Sequence, residues 1–316
     1  MGVKPLRIGT RGSALALWQA NHIAERLAQL HGLETELVRI RTSGDRLQSV
    51  AVSQAGASAD GKGIFIKELE DALLSGAVDL AVHSMKDVPT EAPSGLAFPA
   101  VTRREDVRDC LISREGGTLE NLPHGSRIGT SSLRRQAQLR HHRPDLEMVD
   151  VRGNVDTRLR KLAAGEFDAV VLALAGLKRL GVADKVSQVL DEKVMLPAVG
   201  QGAIGIETRA DDRDTSKFVA ALDDAETRAC VTAERALLHE LQGGCQVPLG
   251  AWARRVDGEL RLEAAVFSAD GREFVRRDDR GAPGDADAIG KRLGQVLIAA
   301  GADKLLRLAG RSVGLR

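Results

Sequence analysis

Apolar positions along this chain switch between a period of about two residues and one of about 3.6, and the switches lay out alternating strands and helices. Leu6-Arg7-Ile8-Gly9-Thr10 reads as a short strand. Ser13 then caps a helix whose apolar positions Leu17, Ala20, Ile23, Ala24, Leu27 and Leu30 keep helical spacing as far as Gly32. A strand over 33–41 follows, and the Ser-, Ala- and Gly-rich stretch 48–62 reads as a mobile loop. Next come a helix carrying Ile64, Phe65, Leu69 and Leu73 that stops at Gly76, and a buried strand over 78–82. A second α/β unit begins near Asp109, with strands over 127–129, 147–151 and 167–173 and helices from Ser131 and Val155. Residues 197–207 read as a return crossing.

From about Ala225 the pattern changes. A helix runs to Leu241 and enters the loop Gln242-Gly243-Gly244-Cys245-Gln246-Val247-Pro248. Trp252, the alternating Leu260, Leu262, Ala264 and Val266, and Phe274-Val275 mark three strands turned at Asp257-Gly258 and Asp270-Gly271, an antiparallel meander. A final helix with Ile289, Leu293, Val296 and Leu297 on one face is expected to cover that sheet. No internal repeat is present.

Composition narrows the function classes. With 316 residues, 43% of them apolar, the chain can bury a large core and divide into two or three units. Forty-five basic against forty-four acidic residues leave a net charge of +1, which argues against a nucleic-acid binder with a basic face. The first thirty residues lack a signal-peptide pattern and no uncharged run reaches spanning length, so a cytoplasmic protein is expected. Cys110, Cys230 and Cys245 are odd in number and widely spaced, which indicates neither a disulfide framework nor a zinc site.

The chemistry-bearing residues then stand out. A thiol on the glycine-flanked Cys245 loop is suited to carry a covalent group. Thr10-Arg11-Gly12-Ser13 lies where a strand ends and a helix begins, so backbone N–H groups and Arg11 would converge on a carboxylate or phosphate; an arginine beside a cap fits equally well. Ser131-Ser132 with Arg134 and Arg135 repeats this arrangement, and these arginines have no acidic neighbour in sequence. Cations there oppose the helix dipole at about 0.3–1 kcal/mol each, which favours a functional anion. Arg152 and Arg158 add charge at the next helix start, and Lys178-Arg179 adds more unless it merely complements a helix C-terminus. In His83-Ser84-Met85-Lys86-Asp87-Val88-Pro89, Asp87 follows a strand at its carboxyl end and is the leading acid/base candidate, although an Asp fixing a turn before Pro89 fits as well. Lys86 beside it would keep that carboxylate ionised.

Other patterns are less productive. Gly56-Ala57-Ser58-Ala59-Asp60-Gly61-Lys62 begins like a phosphate-binding loop, but Gly63 stands where Ser or Thr must hold magnesium and no apolar strand precedes it. Gly200-Gln201-Gly202 reads as a tight hinge. The seven histidines show no metal-ligand spacing, so no metal is implied, and His141-His142 are expected on a polar helix face. Trp18 and Phe65 read as core, with Phe65 near enough to Gly61-Lys62-Gly63 to stack on a flat ligand.

Several long segments resemble the hydroxymethylbilane synthase family, also called porphobilinogen deaminase. They include Arg7-Ile8-Gly9-Thr10-Arg11, Leu15-Ala16-Leu17-Trp18-Gln19-Ala20, Val82-His83-Ser84-Met85-Lys86-Asp87-Val88-Pro89, Gly129-Thr130-Ser131-Ser132-Leu133-Arg134-Arg135, Val151-Arg152-Gly153-Asn154-Val155, Leu172-Ala173-Leu174-Ala175-Gly176-Leu177-Lys178-Arg179, Leu196-Pro197-Ala198-Val199-Gly200-Gln201-Gly202 and the Cys245 loop. The resemblance spans nearly the whole chain. It implies a dipyrromethane cofactor held by a thioether to Cys245, onto which four porphobilinogen molecules are joined in turn. Each step loses ammonia to give an azafulvene-like cation, and hydrolysis finally releases hydroxymethylbilane. By resemblance, Asp87, Arg11 and Lys86 are catalytic. Cys245, Lys86, Asp87, Thr130, Ser131, Ser132, Arg134, Arg135, Arg152 and Gly153 hold the cofactor, and Arg11, Ser13, Lys62, Phe65, Arg152, Arg158, Arg179 and Gln201 meet the substrate.

The same resemblance implies two α/β domains like those of two-lobed periplasmic binding proteins, 1–102 with 200–220 and 103–199, plus a C-terminal α+β domain, 221–316, with a three-stranded antiparallel sheet. A monomer with porphobilinogen as its small-molecule partner is expected, without nucleic acid or membrane. The loop from Leu47 to Asp60 departs from the family's pattern; in the family it covers the cleft, so it bears on lid motion. The alternative from another class is a non-catalytic two-lobed carboxylate-binding protein.

Overall fold

The computed structural model describes residues 4–42, 66–91, 93–241 and 247–312. Lys62, Phe65, Cys245 and the loop over 47–60 lie outside the described residues. The chain divides into two compact units, Met1–Arg104 with Ala203–Arg228, and Glu105–Gly202 with Ala229–Arg316.

In the first unit, strands β1 (Leu6–Thr10), β2 (Thr35–Arg39), β3 (Leu80–Ser84), β4 (Leu96–Val101) and the late-returning β10 (Ile204–Arg209) form one sheet in the order β2-β1-β3-β10-β4. β1 runs parallel to β2 and β3, whereas β10 is antiparallel to both β3 and β4. Helix α1 (Ala14–His31) starts where Ser13 Oγ accepts from the Ala16 N–H and stops at Gly32, whose φ of 65° suits a residue without a Cβ. Its Ala20, Ile23 and Leu27 pack on Ile8, Leu80, Val82 and Ile206. Helix α2 (Lys67–Leu74) covers the other face through Leu69 and Leu73. Trp18 differs from the sequence expectation of a core residue: it is exposed and stacks on His22 one turn along the same helix.

The second unit repeats the plan. Strands β5 (Asp109–Ser113), β6 (Arg127–Gly129), β7 (Glu147–Val149), β8 (Ala169–Ala173) and β9 (Gln188–Val189) lie in the order β7-β6-β8-β5-β9, with β5 antiparallel to β8. Position for position this order and its strand directions match the first sheet, so the two α/β sheets share one plan. Helix α3 (Leu133–His142) follows β6, α4 (Val155–Ala163) follows β7 and α5 (Leu174–Arg179) follows β8.

A third sheet, β11 (Leu249–Val256), β12 (Glu259–Phe267) and β13 (Phe274–Gly281), is antiparallel throughout and belongs to the second unit. Asp257 and Gly258, with φ of 50° and 86°, make the tight first hairpin turn. Beyond α6 (Arg213–Ala220), helix α7 (Ala225–Glu240) and helix α8 (Ala286–Ala299) bury Leu237, Ile289, Leu293 and Leu297 against this sheet. α8 approaches α7 so closely that a Cβ on Gly290 would stand 2.3 Å from Ala233 O. Val296 corrects the expected face: it is exposed, and Gly290 and Gly294 take the positions nearest α7. A further helix, α9 (Ala302–Ser312), follows the one expected to be last. His141 also departs from a plain polar face, since it packs edge-on against Phe267 and Phe274 and its Nδ1 bonds Gly271 O at 3.0 Å.

Candidate functional site

The first unit presents one group of site residues. Thr10 ends β1 with its hydroxyl donating to Ala16 O at 3.1 Å, tying the strand end to the first turn of α1. Arg11 follows, half-buried, and Ser13 spends its oxygen as the helix cap. β3 is the adjacent parallel strand, registered Ile8 to Leu80 and Gly9 to Ala81, so Arg11 and Asp87 both follow the carboxyl ends of neighbouring strands. At the end of β3, Gln19 Nε2 donates to Ser84 Oγ at 2.9 Å, and a single 3-10 turn, Met85–Asp87, comes next. That turn buries Met85 and leaves the Asp87 carboxylate exposed, with Lys86 between. Beneath it, His83 Nε2 bonds Glu207 Oε2 at 3.0 Å inside the sheet.

The second unit presents the other group, built in the same way at the end of β6. Thr130 is buried, Ser131 Oγ donates to Val151 O at 2.9 Å, and the Ser132 N–H donates to Thr130 Oγ1. Ser132 is the N-cap of α3, but its hydroxyl makes no capping bond. The sequence expectation of arginines without an acidic partner is corrected here. Arg134 Nη1 lies 2.7 Å from Asp109 Oδ2 and Arg135 Nη2 lies 2.8 Å from Asp109 Oδ1, all three side chains being buried. The intervening chain hid this partner, because β5 reaches β6 only through β8. Burial alone would raise the Asp109 pKa, but the two guanidiniums more than offset that and hold its carboxyl well below the usual range.

Gln201 Nε2 also donates to Asp109 Oδ1 at 3.0 Å and to Val107 O at 2.7 Å, so the hinge-like Gly200-Gln201-Gly202 is anchored beside the arginine pair. Arg179 Nη2 donates to Gly202 O at 2.6 Å, and desolvation lowers its pKa to about 10. After β7, Gly153 adopts φ 112° and its carbonyl accepts from Arg158 Nε at 2.9 Å, whereas Arg152 is exposed. Asp109 is the residue that sequence reasoning missed. Its only signal was a carboxylate opening an otherwise apolar strand, Asp109-Cys110-Leu111-Ile112.

The donors suit a group bearing several carboxylates: the Ser132 hydroxyl at a helix start, the exposed Arg152 guanidinium, and a buried Arg135 Nε that has no hydrogen-bond partner among the described residues. Cys110 and Cys230 are buried, and desolvation pushes the Cys110 thiol up to about 12, so Cys110 is no ready thiolate. No helix among the described residues is long and apolar enough to cross a membrane.

The family model for the porphobilinogen deaminase dipyrromethane cofactor binding domain matches residues 6–217, and that for the porphobilinogen deaminase C-terminal domain matches residues 228–299. The chain belongs to the porphobilinogen deaminase family. Its members are hydroxymethylbilane synthases, transferases of porphyrin and haem biosynthesis with a dipyrromethane cofactor, and this membership decides against a non-catalytic carboxylate binder. The porphobilinogen deaminase of Syntrophobacter fumaroxidans is 50% identical over 302 residues, covering 95% of this chain and 96% of that one. Those of Pelobacter propionicus, 49% identical over 314 residues (99% and 97% covered), and Trichlorobacter lovleyi, 51% over 307 residues (97% and 97%), are similarly close. Among solved structures, a periplasmic substrate-binding protein of an ABC transporter from Coxiella burnetii aligns with a TM-score of 0.42 at 14% identity, over 69% of this chain and 91% of that one.

Proposed function

We propose that this deaminase joins four porphobilinogen molecules head to tail with Asp87 as its catalytic carboxylate and Cys245 as the cofactor's point of attachment. The observation that carries the reading is the placement of Lys86-Asp87 on a short exposed turn at the end of β3, next to the strand whose end bears Arg11. When bound, dipyrromethane supplies a tethered pyrrole with a free α-carbon, the nucleophile for the first condensation. Asp87 accepts hydrogen bonds from pyrrole N–H groups, offsets the positive charge that develops on the substrate as ammonia departs, and takes up the proton released afterwards. Lys86 binds a carboxylate of the cofactor.

Arg11, Ser13, Lys62, Arg152, Arg158, Arg179 and Gln201 bind the acetate and propionate arms of incoming and growing pyrroles, and Phe65 stacks on a ring. Thr130, Ser131, Ser132, Arg134, Arg135, Arg152 and the Gly153 N–H hold the cofactor's arms. Bidentate guanidinium pairing with carboxylates explains why arginine outnumbers lysine in this set. The burial of the other two thiols supports Cys245 as the attachment point. The enzyme works as a cytoplasmic monomer with its two α/β lobes and the C-terminal sheet as three domains, without nucleic acid or membrane. Intact-protein mass spectrometry tests the reading. Wild-type protein should carry an acid-stable addition of two pyrrole units that is missing in Cys245→Ser, and a bare chain mass in active wild-type protein would refute it.

A further inference from the structure

Asp109 is the first residue of β5, yet its carboxylate is fully buried, and Arg134, Arg135 and Gln201 all converge on it. Backbone carbonyls take more of the guanidinium hydrogens: Leu196 O accepts from Arg134 Nη1 at 2.6 Å and Val171 O from Arg135 Nη1 at 3.0 Å. These contacts fix both planar forks. They also leave a remainder, because among the described residues two buried cations face one buried anion, and the buried Arg135 Nε has no hydrogen-bond partner there. Excess charge in a dry interior is costly unless a counter-charge with matching hydrogen bonds arrives.

We propose that Asp109 is a positioning residue for cofactor loading, holding both guanidiniums so that one carboxylate arm of dipyrromethane completes the charge and accepts from the Arg135 Nε–H. This rests on the reading of Cys245 as the attachment point. Asp109 acts through the arginines, by cancelling one of their two charges and by denying both side chains their other rotamers. Asparagine in its place would keep the size and lose the charge, so the arginines would repel one another and splay.

Two measurements test this. In apo-protein labelled with 15N-arginine, loading with porphobilinogen should move the Arg135 Nε–H resonance downfield and slow its exchange, the signal being assigned by its absence in Arg135→Lys. An unmoved resonance in fully loaded enzyme overturns the placement, whatever the variants do. In folded Asp109→Asn apo-protein, the rate at which the two-pyrrole mass addition appears should fall by at least about tenfold, with partial recovery in Asp109→Glu. A merely structural Asp109 would lower the thermal midpoint and leave the loading rate of the folded protein unchanged, and that result overturns the inference. Wild-type protein that never gains the addition sinks the Cys245 reading together with this one, whereas normal loading of Asp109→Asn sinks this one alone.

Discussion

His83 Nε2 and Glu207 Oε2, 3.0 Å apart, join β3 to the antiparallel β10 directly beneath the turn that carries Asp87. Both side chains are almost wholly removed from water, and Glu207 Oε1 has no hydrogen-bond partner among the described residues. Replacing one member strands the other. His83→Leu is therefore expected to destabilise the protein by about 3 kcal/mol or more in urea titrations, and His83→Leu with Glu207→Leu by less, because an apolar pair leaves no buried acceptor unmet. Equal losses in the single and double variants would count against a coupled pair.

Asp87→Asn keeps the shape of the side chain and removes its charge. The two-pyrrole addition should persist in its mass spectrum, while turnover of porphobilinogen falls by roughly 10²- to 10⁴-fold. Wild-type turnover in this variant would remove Asp87 from the mechanism.

Gly153 combines a φ of 112° with a close neighbour, since a Cβ there would stand 2.7 Å from Thr157 Cγ2. Gly153→Ala should cost about 1–3 kcal/mol and loosen the bond from Arg158 Nε to the Gly153 carbonyl. Adding Thr157→Ser removes the methyl but not the backbone strain, so it should restore only part of the loss. Full restoration would show that the clash, and not the backbone angle, made glycine necessary.

Asp109 predicts a pH dependence whose sign is fixed. Its pKa is lowered in the folded protein, burial being more than offset by the two arginines, while in the unfolded chain it titrates near about 3.9. Its contribution is complete above that pH and is lost as pH falls, at about 1.4 kcal/mol per pH unit for one proton. Unfolding free energies of wild type and Asp109→Asn should run parallel above about pH 5 and converge below about pH 4. Parallel curves throughout would place the Asp109 carboxyl in its ordinary range.

Local elements were legible because their signals are local. Ser13 and Gly32 bracket α1 as capping chemistry dictates, and the two Asp-Gly turns mark the meander. Long-range pairings were not. Nothing near Arg134 in sequence announces Asp109, and nothing near His83 announces Glu207, because each partner is delivered by a strand that enters its sheet from far along the chain. Periodicity misled where small residues did the packing: glycines against α7 turned Val296 outward. The candidate site was readable as motifs, whereas the ion pairing that holds two of its arginines was not.

β10 has a consequence for how the protein is made. It lies between β3 and β4, yet it leaves the ribosome about a hundred residues after them, once the whole of the second α/β sheet has been synthesised. A nascent chain released before residue 204 would expose the facing edges of β3 and β4 with no strand to bridge them. The amino-terminal lobe is thus the first to be translated and cannot be the first to be finished.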